Sequence, residues 1–514
     1  MEIFFRALEE NSEWLHTITL AEYAEKFPAL GRIYLPTAAY DEMTEWALPA
    51  QLSGELTRLK HQLQEEKRDN VLKFIRGSFW RNFLVKYPEV NAMHKKMLLV
   101  SEKVNSQLAT GNRKKSPTLS RSLAPALDAL YAAQCNCPYW HGVFGGIYLP
   151  HIRHANYAHL IQAENIADEI AHGKREWIDY ELRDYDQDSR DELLVSGDAQ
   201  NIYFDLARGG AICEWDWRAK KINLVNTLAR REEGYHRDLV EAAARGDVEY
   251  PGAPPREKLE SIHSTVVRAK EVGLEKLLTY DWYRRLGLID HFIAFDETLE
   301  NFSRAQYREL GDFVDQEYKS KVKRQKAKGK SVGEKLLVEL SRDGNVWQDN
   351  LFAPVRVEKQ LVIRTNARQH SPSTVHRQSS NLQLPITYTL TNSHTLPLAF
   401  RFGVEFNFAL LAGHSDDAYY RANGIAREQA RLDARGESAA VENIALVNEW
   451  LGIEIEMQLR APAHVWRFPI ETISLSEAGF ERVYQASCVM PLWDVHLAPG
   501  ESRAISLDLL LKQL

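Results

Sequence analysis

Residues Trp177–Leu228 read WIDYELRDYDQDSRDELLVSGDAQNIYFDLARGGAICEWDWRAKKINLVNTL. Apolar and polar residues alternate along Glu192–Val195, Asn201–Leu206, Ala211–Arg218 and Lys221–Leu228. A period of two marks half-buried β-strands, and Gly209-Gly210 marks a turn between two of them. The same pattern returns at Arg356–Arg364, Leu384–Leu390, Leu398–Leu411, Ile453–Leu459, Val465–Phe468, Glu481–Leu492 and Ser502–Leu511. Two-faced strands of this kind predict one large antiparallel β-sandwich over residues 176–514. Pro251–Pro255 reads as a link, a helical insertion is expected near 256–285, and the basic run Lys319–Lys330 as a loop between strands.

Upstream of Trp177 the period changes. Leu56, Leu59 and Leu63 recur at helical spacing within Gly54–Asp69, and Phe79–Tyr87, Asn91–Gln107, Leu123–Gln134 and Pro150–His172 read as further helices. Pro88 separates two of them, and Ala109–Pro117 is a basic break. No βαβα alternation is present. The expected class is α+β multidomain: a helix-rich N-terminal region, then the sandwich.

With 514 residues the chain can bury more than one core. The net charge of −7 argues against a protein built to hold nucleic acid. Four cysteines are too few for a disulfide framework, so a reduced, cytoplasmic setting is expected. No apolar run is long enough to span a membrane, and the acidic start is unlike a signal peptide.

Three clusters carry chemistry-bearing side chains. In Gln134–Gly146, two cysteines, Asn136, His141 and several aromatics crowd between helices. Zinc on Cys135, Cys137, His141, His151 and His154 matches no usual ligand spacing. A packed helix–helix corner is one reading. The other is a sugar-contacting corner, in which Trp140 offers a stacking face and Asn136 and His141 offer hydrogen bonds. In Tyr34–Pro49, Thr37 or Asp41 could cap a helix with Glu45 near the capping-box position. Glu42 and Trp46, four apart, share a helical face and either line a cleft or edge the core. In Arg76–Met97 the aromatics read as core and the basic residues as solvated. Separately, Asp184, Asp186, Asp188 and Glu192 have spacings like a short calcium loop, against a solvated acidic loop as the alternative; no other cofactor is indicated.

YLPTAAYDEMTEWALP, GSFWRNFLVKYPEVNAMHKKM and AQCNCPYWHGVFGGIYLPHIRH together resemble the later part of glycoside hydrolase family 57, in its 4-α-glucanotransferase/α-amylase branch. The resemblance continues through LTYDWYRRLGLIDHFIAFDETLENF, ELGDFVDQEY and VWRFPIETISLSEAGF, in the family's order. It implies the end of a (β/α) barrel over residues 1–33, a helical domain over 34–175 bordering the substrate cleft, and the sandwich thereafter. It also implies retaining chemistry on α-glucans or maltooligosaccharides, with two facing carboxylates. The family's W-x-x-E and H-D-D-G-E-like motifs, which carry those carboxylates, do not occur in this sequence.

Both catalytic groups are therefore expected upstream of Met1. The chain is expected to be inactive alone, and a separate catalytic barrel chain is an expected partner. A non-catalytic glucan-binding or interaction module and the second half of a split enzyme are the alternatives. By the resemblance, Trp140 stacks on a glucose ring, and Cys137 stands where many relatives have an aspartate that bonds sugar hydroxyls. Glu42 and Trp46 lie near the same cleft. Phe4, Phe5, Trp14 and the aromatics around Trp80 are then expected to be exposed, as a face that a barrel would cover.

Overall fold

The structure, a computed structural model, describes residues 1–35, 39–113, 117–142, 145–173, 175–251, 267–326, 334–348, 351–365 and 381–514. These form two compact units, Met1–Tyr40 and Asp41–Leu514. The first holds α1 (Glu2–Glu10) and α2 (Leu20–Lys26). Helix α2 starts at a capping box in which Thr19 and Glu22 satisfy each other's backbone N–H groups. Neither helix buries a residue: Ile3, Phe4, Phe5 and Trp14 are all exposed.

The second unit begins with short helices, α3 (Asp41–Trp46), α4 (Ala50–Glu65), α5 (Asp69–Leu72) and α6 (Trp80–Lys86). Three long helices follow: α7 (Pro88–Arg113), α8 (Pro117–Ala132) and α9 (Pro150–His172). All three open on proline, whose missing N–H would have no partner in a first turn anyway. They pack on one another through residues such as Val100, Val104, Leu123, Leu130 and Leu160, each nearly inaccessible.

Strands then take over: β1 (Ile178–Arg183), β2 (Glu192–Gly197), β3 (Gln200–Asp205), β4 (Ala211–Trp217) and β5 (Ile222–Asn223). Helix α10 (His236–Arg245) precedes β6 (Gly287–Ile293) and α11 (Leu299–Ser303). The remaining strands are β7 (Lys319–Lys326), β8 (Glu334–Gln348), β9 (Leu351–Arg364), β10 (Leu382–Asn392), β11 (Leu398–Phe408), β12 (Ala418–Arg421), β13 (Gly436–Asn448), β14 (Ile453–Ser476), β15 (Gly479–Leu497) and β16 (Ser502–Gln513).

Every strand pairing is antiparallel, and the main path runs β1-β2-β3-β4-β6-β11-β15-β14-β16-β10-β9-β8-β7. The path folds into two layers. Tyr388 of β10 meets Phe402 of β11 edge to face, and its hydroxyl donates to Asp290 of β6 at 2.8 Å. Lys359 of β9, fully buried, pairs with the same Asp290 at 2.9 Å. The two ends of the path meet where Arg324 of β7 pairs with Asp179 of β1 at 2.6 Å. One continuous apolar core lies between the layers. Its source is visible in the alternating burial of β10, where Leu382, Leu384, Ile386, Tyr388 and Leu390 all turn inward.

Two expectations change. Lys319–Lys326 is an edge strand rather than a loop: Val322 packs against the core, and the alternate lysines face solvent. The insertion expected near 256–285 lies partly outside the described residues. Its described part, from Val267, has no α-helix; it makes single bridges and a 3₁₀ turn at Leu274–Lys276, because Ala269 and Leu274 bury against Leu239 and Phe480. The helices from α3 to α9 and the sheet fall in one compact unit, and buried charge is one of the ties between them. Lys96 of α7 is fully buried, not solvated, at 2.9, 2.9 and 2.8 Å from Glu164 of α9 and Glu214 and Asp216 of β4. Among the described residues, no helix is long and apolar enough to cross a membrane.

Candidate functional site

The corner Cys135–Tyr148 is held from several sides. Asn156 of α9 donates to the Cys135 carbonyl at 3.2 Å, Trp80 Nε1 to the Tyr139 carbonyl at 3.1 Å, and the Tyr139 hydroxyl to the Ala133 carbonyl at 2.9 Å. The chain turns back at Gly146, where φ is +49° and a Cβ would stand 2.4 Å from the Trp140 carbonyl. Only glycine fits this approach. The Ile147 N–H then donates to that carbonyl at 2.9 Å.

This corner meets helix α3. The rings of Trp46 and Trp140 lie 5.1 Å apart at 48°, and both side chains are half-buried. His141 stacks on Trp46 at 5.1 Å and 23°. Its ring is buried, and Nε2 lies 3.1 Å from the Tyr235 hydroxyl. Burial pushes the His141 imidazole down, to about 4, and the neighbouring Glu233 carboxylate offsets only part of that. His141 is therefore neutral at physiological pH. It backs Trp46.

Beneath the aromatic pair lies a buried charge. Glu233 accepts from Tyr87 at 2.6 Å, from Tyr148 at 2.5 Å and from Lys86 at 2.8 Å. Burial alone would raise its carboxyl, but Lys86 and His141 with the hydroxyl of Tyr148 hold it at about 2. Lys86 also donates to the Trp46 carbonyl at 3.2 Å, so the ion pair fixes the end of α3. Lys86 reads in the sequence as one of the solvated basic residues of Arg76–Met97, yet its side chain is mostly buried against Glu233; Glu233 and Tyr235 did not stand out. Glu233 lies 146 positions from Tyr87, and no spacing rule reaches that far.

The other expected residues fall around this pair. Glu42 is exposed, four residues before Trp46 on α3. Asn136 and Cys137 are exposed on the corner, and the Cys137 thiol donates to Asn136 Oδ1 at 3.6 Å. Burial and the neighbouring Cys135 push that thiol up, so it stays protonated. Asp41 is the first residue of α3, and its carboxylate pairs with Lys60 at 2.7 Å. Glu45 reaches the same Lys60 at 2.8 Å and accepts from Thr57, so the expected capping box is replaced by a buried cation. Thr37 and Phe144 lie outside the described residues.

The cysteines and histidines of the corner form no metal-type cluster among the described residues. One such cluster is Asp184, Asp186 and Asp188, whose carboxylate oxygens lie within 4.8 Å of one another. Glu192 is not part of it: one of its oxygens accepts the Tyr185 and Asp186 N–H groups, and burial pushes its carboxyl up to about 8. Arg208 pairs with Asp188 at 3.0 Å and lies 3.7 Å from Asp186.

The C-terminal region of the alpha-amylase/4-alpha-glucanotransferase family matches residues 184–507, and the family's middle domain matches residues 78–167. The chain belongs to this family, glycoside hydrolase family 57. It is 32% identical over 512 residues to alpha-amylase 1 of Dictyoglomus thermophilum, covering 98% of this chain and 64% of the relative. It is 33% identical over 484 residues to the 4-alpha-glucanotransferase of Thermococcus litoralis, covering 94% and 61%. The crystal structure of the 4-alpha-glucanotransferase from Thermococcus litoralis superposes with a TM-score of 0.65 at 29% identity, over 99% of this chain and 63% of that one. The chain thus spans less than two thirds of the length of these family members. The middle-domain match contains the corner with Trp140 and His141, and Glu233 falls in the C-terminal match.

Proposed function

We propose that this chain supplies a glucan-binding wall to a retaining enzyme of family 57 that hydrolyses or transfers α-linked glucosyl units. The observation that carries the reading is the aromatic pair Trp46–Trp140, set on a neutral, buried His141. Half-buried indole faces suit the C–H faces of a glucose ring, and exposed polar groups beside them suit its hydroxyls. Trp140 and Trp46 would lie against the sugar, Glu42 and Asn136 would bond its hydroxyls, and Cys137 would act through Asn136. His141 would hold Trp46 in place. The same reading puts calcium on Asp184, Asp186 and Asp188, an all-oxygen set that suits a hard cation, in competition with Arg208.

Retaining chemistry needs two carboxyls about 5–5.5 Å apart across the scissile bond. We assign that pair to a catalytic barrel outside these 514 residues. The absence of the W-x-x-E and H-D-D-G-E-like motifs from these 514 residues supports this. So does the exposed apolar face of Phe4, Phe5 and Trp14, which a barrel would cover.

Isothermal titration with maltoheptaose tests the wall: the wild type binds, and Trp46→Ala and Trp140→Ala each weaken binding at least about tenfold, the loss of one aromatic contact. Equal affinity in both variants refutes it. Turnover of maltooligosaccharides by the chain alone, abolished by changing one of its own carboxylates, refutes the assignment of chemistry to the barrel.

A further inference from the structure

Helix α3 has a second working face. Asp41 and Glu45, one turn apart, both hold Lys60 Nζ. Lys60 is 5% exposed, and its ammonium has three N–H donors, of which two are engaged by these carboxylates. Beyond the ion pair opens a cleft of about 300 Å³, at the lower end of the range for small-ligand sites. It is lined by Asp41, Lys60, Gln64, Asp69, Leu72, Lys73 and Arg76. Phe74 is 76% exposed beside it, with Lys73 Nζ 5.1 Å from its ring centre.

The charges decide what such a cleft takes. Lys60, Lys73 and Arg76 are balanced by Asp41, Asp69 and the adjoining Glu45. An anion would meet the carboxylates of Asp41 and Asp69, and a cation would meet Arg76 and Lys73. A neutral polyol carries donors and acceptors together, and a charge-balanced set of carboxylates, amide, ammonium and guanidinium offers partners to both. Leu72 offers apolar surface for the C–H side of a sugar ring. Asp41 lies five residues from Trp46, or about 7.5 Å along the helix axis, so one helix carries both surfaces.

We propose that this cleft is a further glucosyl-binding subsite, which takes units of an α-glucan chain beyond those lying on Trp46. It rests on the glucan-binding reading of the Trp46–Trp140 wall. The test is isothermal titration of the full chain with maltotriose, maltopentaose and maltoheptaose, comparing the wild type with Arg76→Ala, Asp69→Asn and Trp46→Ala. Asp69 and Arg76 are exposed, so these substitutions leave the fold intact, which a thermal melt checks.

In the wild type, affinity rises with chain length. Arg76→Ala and Asp69→Asn bind maltotriose as the wild type does but lose the gain for maltoheptaose, about fivefold, the size of one lost hydrogen bond. Trp46→Ala weakens every length. A full chain-length gain in Arg76→Ala and Asp69→Asn overturns the subsite and leaves the wall standing. Equal weakening of all lengths by these variants overturns it as well. So does inorganic phosphate that binds the wild type but not Arg76→Ala, since the cleft then selects an anion. No binding of any length by the wild type removes the wall and the subsite together.

Discussion

Replacing Lys96 by methionine should unlock the helices from the sheet. The side chain is fully buried, and its ammonium contacts Glu164, Glu214 and Asp216, none of them more than 1% exposed. Lys103 adds a cation against Glu164 at 2.6 Å, and Arg218 another against Asp168 at 2.8 Å. Burial, with Asp216 alongside, pushes Glu214 up despite Lys96, so Glu214 is the member that keeps a proton. Three cations, Lys96, Lys103 and Arg218, then balance three carboxylates, Glu164, Asp168 and Asp216. Lys96→Met conserves volume but leaves one buried negative charge without a counter-ion. Breaking a buried pair on one side costs about 3–5 kcal/mol. With a urea slope of about 3 kcal/mol per molar, the unfolding midpoint falls by about 1 M or more.

Two controls make this specific. A buried carboxylate that has lost its cation has a folded pKa above its unfolded value of about 4. The folded variant therefore binds an extra proton as pH falls, and its deficit against the wild type shrinks from pH 7 to pH 5. Adding Asp216→Asn to Lys96→Met removes the unpaired charge and recovers at least about 1 kcal/mol. The assay is urea unfolding followed by tryptophan fluorescence, with Trp215 and Trp217 buried beside the network on β4. A Lys96→Met midpoint within about 0.3 M of the wild type, roughly 1 kcal/mol, refutes the reasoning, as does a double variant no more stable than the single one.

Three further outcomes follow from the same structure. His291 lies between Glu309 at 2.8 Å and Glu405 at 3.0 Å; burial lowers its imidazole, but the two carboxylates raise it to about 9. Its stabilising effect, about 3 kcal/mol, is fully present below pH 6.5 and is lost as pH rises through 9. Urea midpoints from pH 6 to 10 should fall in the wild type and fall less in His291→Gln. Calcium at ten times its dissociation constant should stabilise the chain by about 1.4 kcal/mol, and Asp186→Asn should abolish that shift in a thermal melt. Of the four cysteines, exposed Cys135 and Cys137 should react with a maleimide in the native chain, while buried Cys488 reacts only on unfolding. Bound maltoheptaose should slow labelling of Cys137, and unchanged labelling would place the sugar elsewhere.

The alternation that shows in β10 and the proline that opens α9 are local signals, and they made the helix-then-sheet order legible from sequence; Pro88, read as a stop, is instead the first residue of α7. Trp46 stood out in one dense motif and Trp140 with His141 in another; only the family resemblance put the two motifs near one cleft. What the sequence hid is what happens between distant segments. Lys96 follows His94 and Lys95 in a run that looks solvated, and its partners lie 68, 118 and 120 positions later. His141 looks like a free hydrogen-bonding group until the stack with Trp46 and the contact to Tyr235 bury it. Lys319–Lys326 looks like a loop because five of its eight residues are basic, yet one inward valine and a paired neighbour make it a strand.

The place of β16 has a consequence for how the chain is made. It leaves the ribosome after every other strand described, yet it stands in the interior of the path, between β14 and β10. Until residues 502–513 are synthesised, the sheet exists as two pieces with open edges on β14 and β10, and those edges are templates for pairing with other chains. The helices can assemble early from near neighbours, but the two layers can close only once residues 502–513 have been made. A stop codon before Ser502 would therefore leave no shortened sandwich. It would leave two half-sheets, each with a sticky flank and no strand to join them.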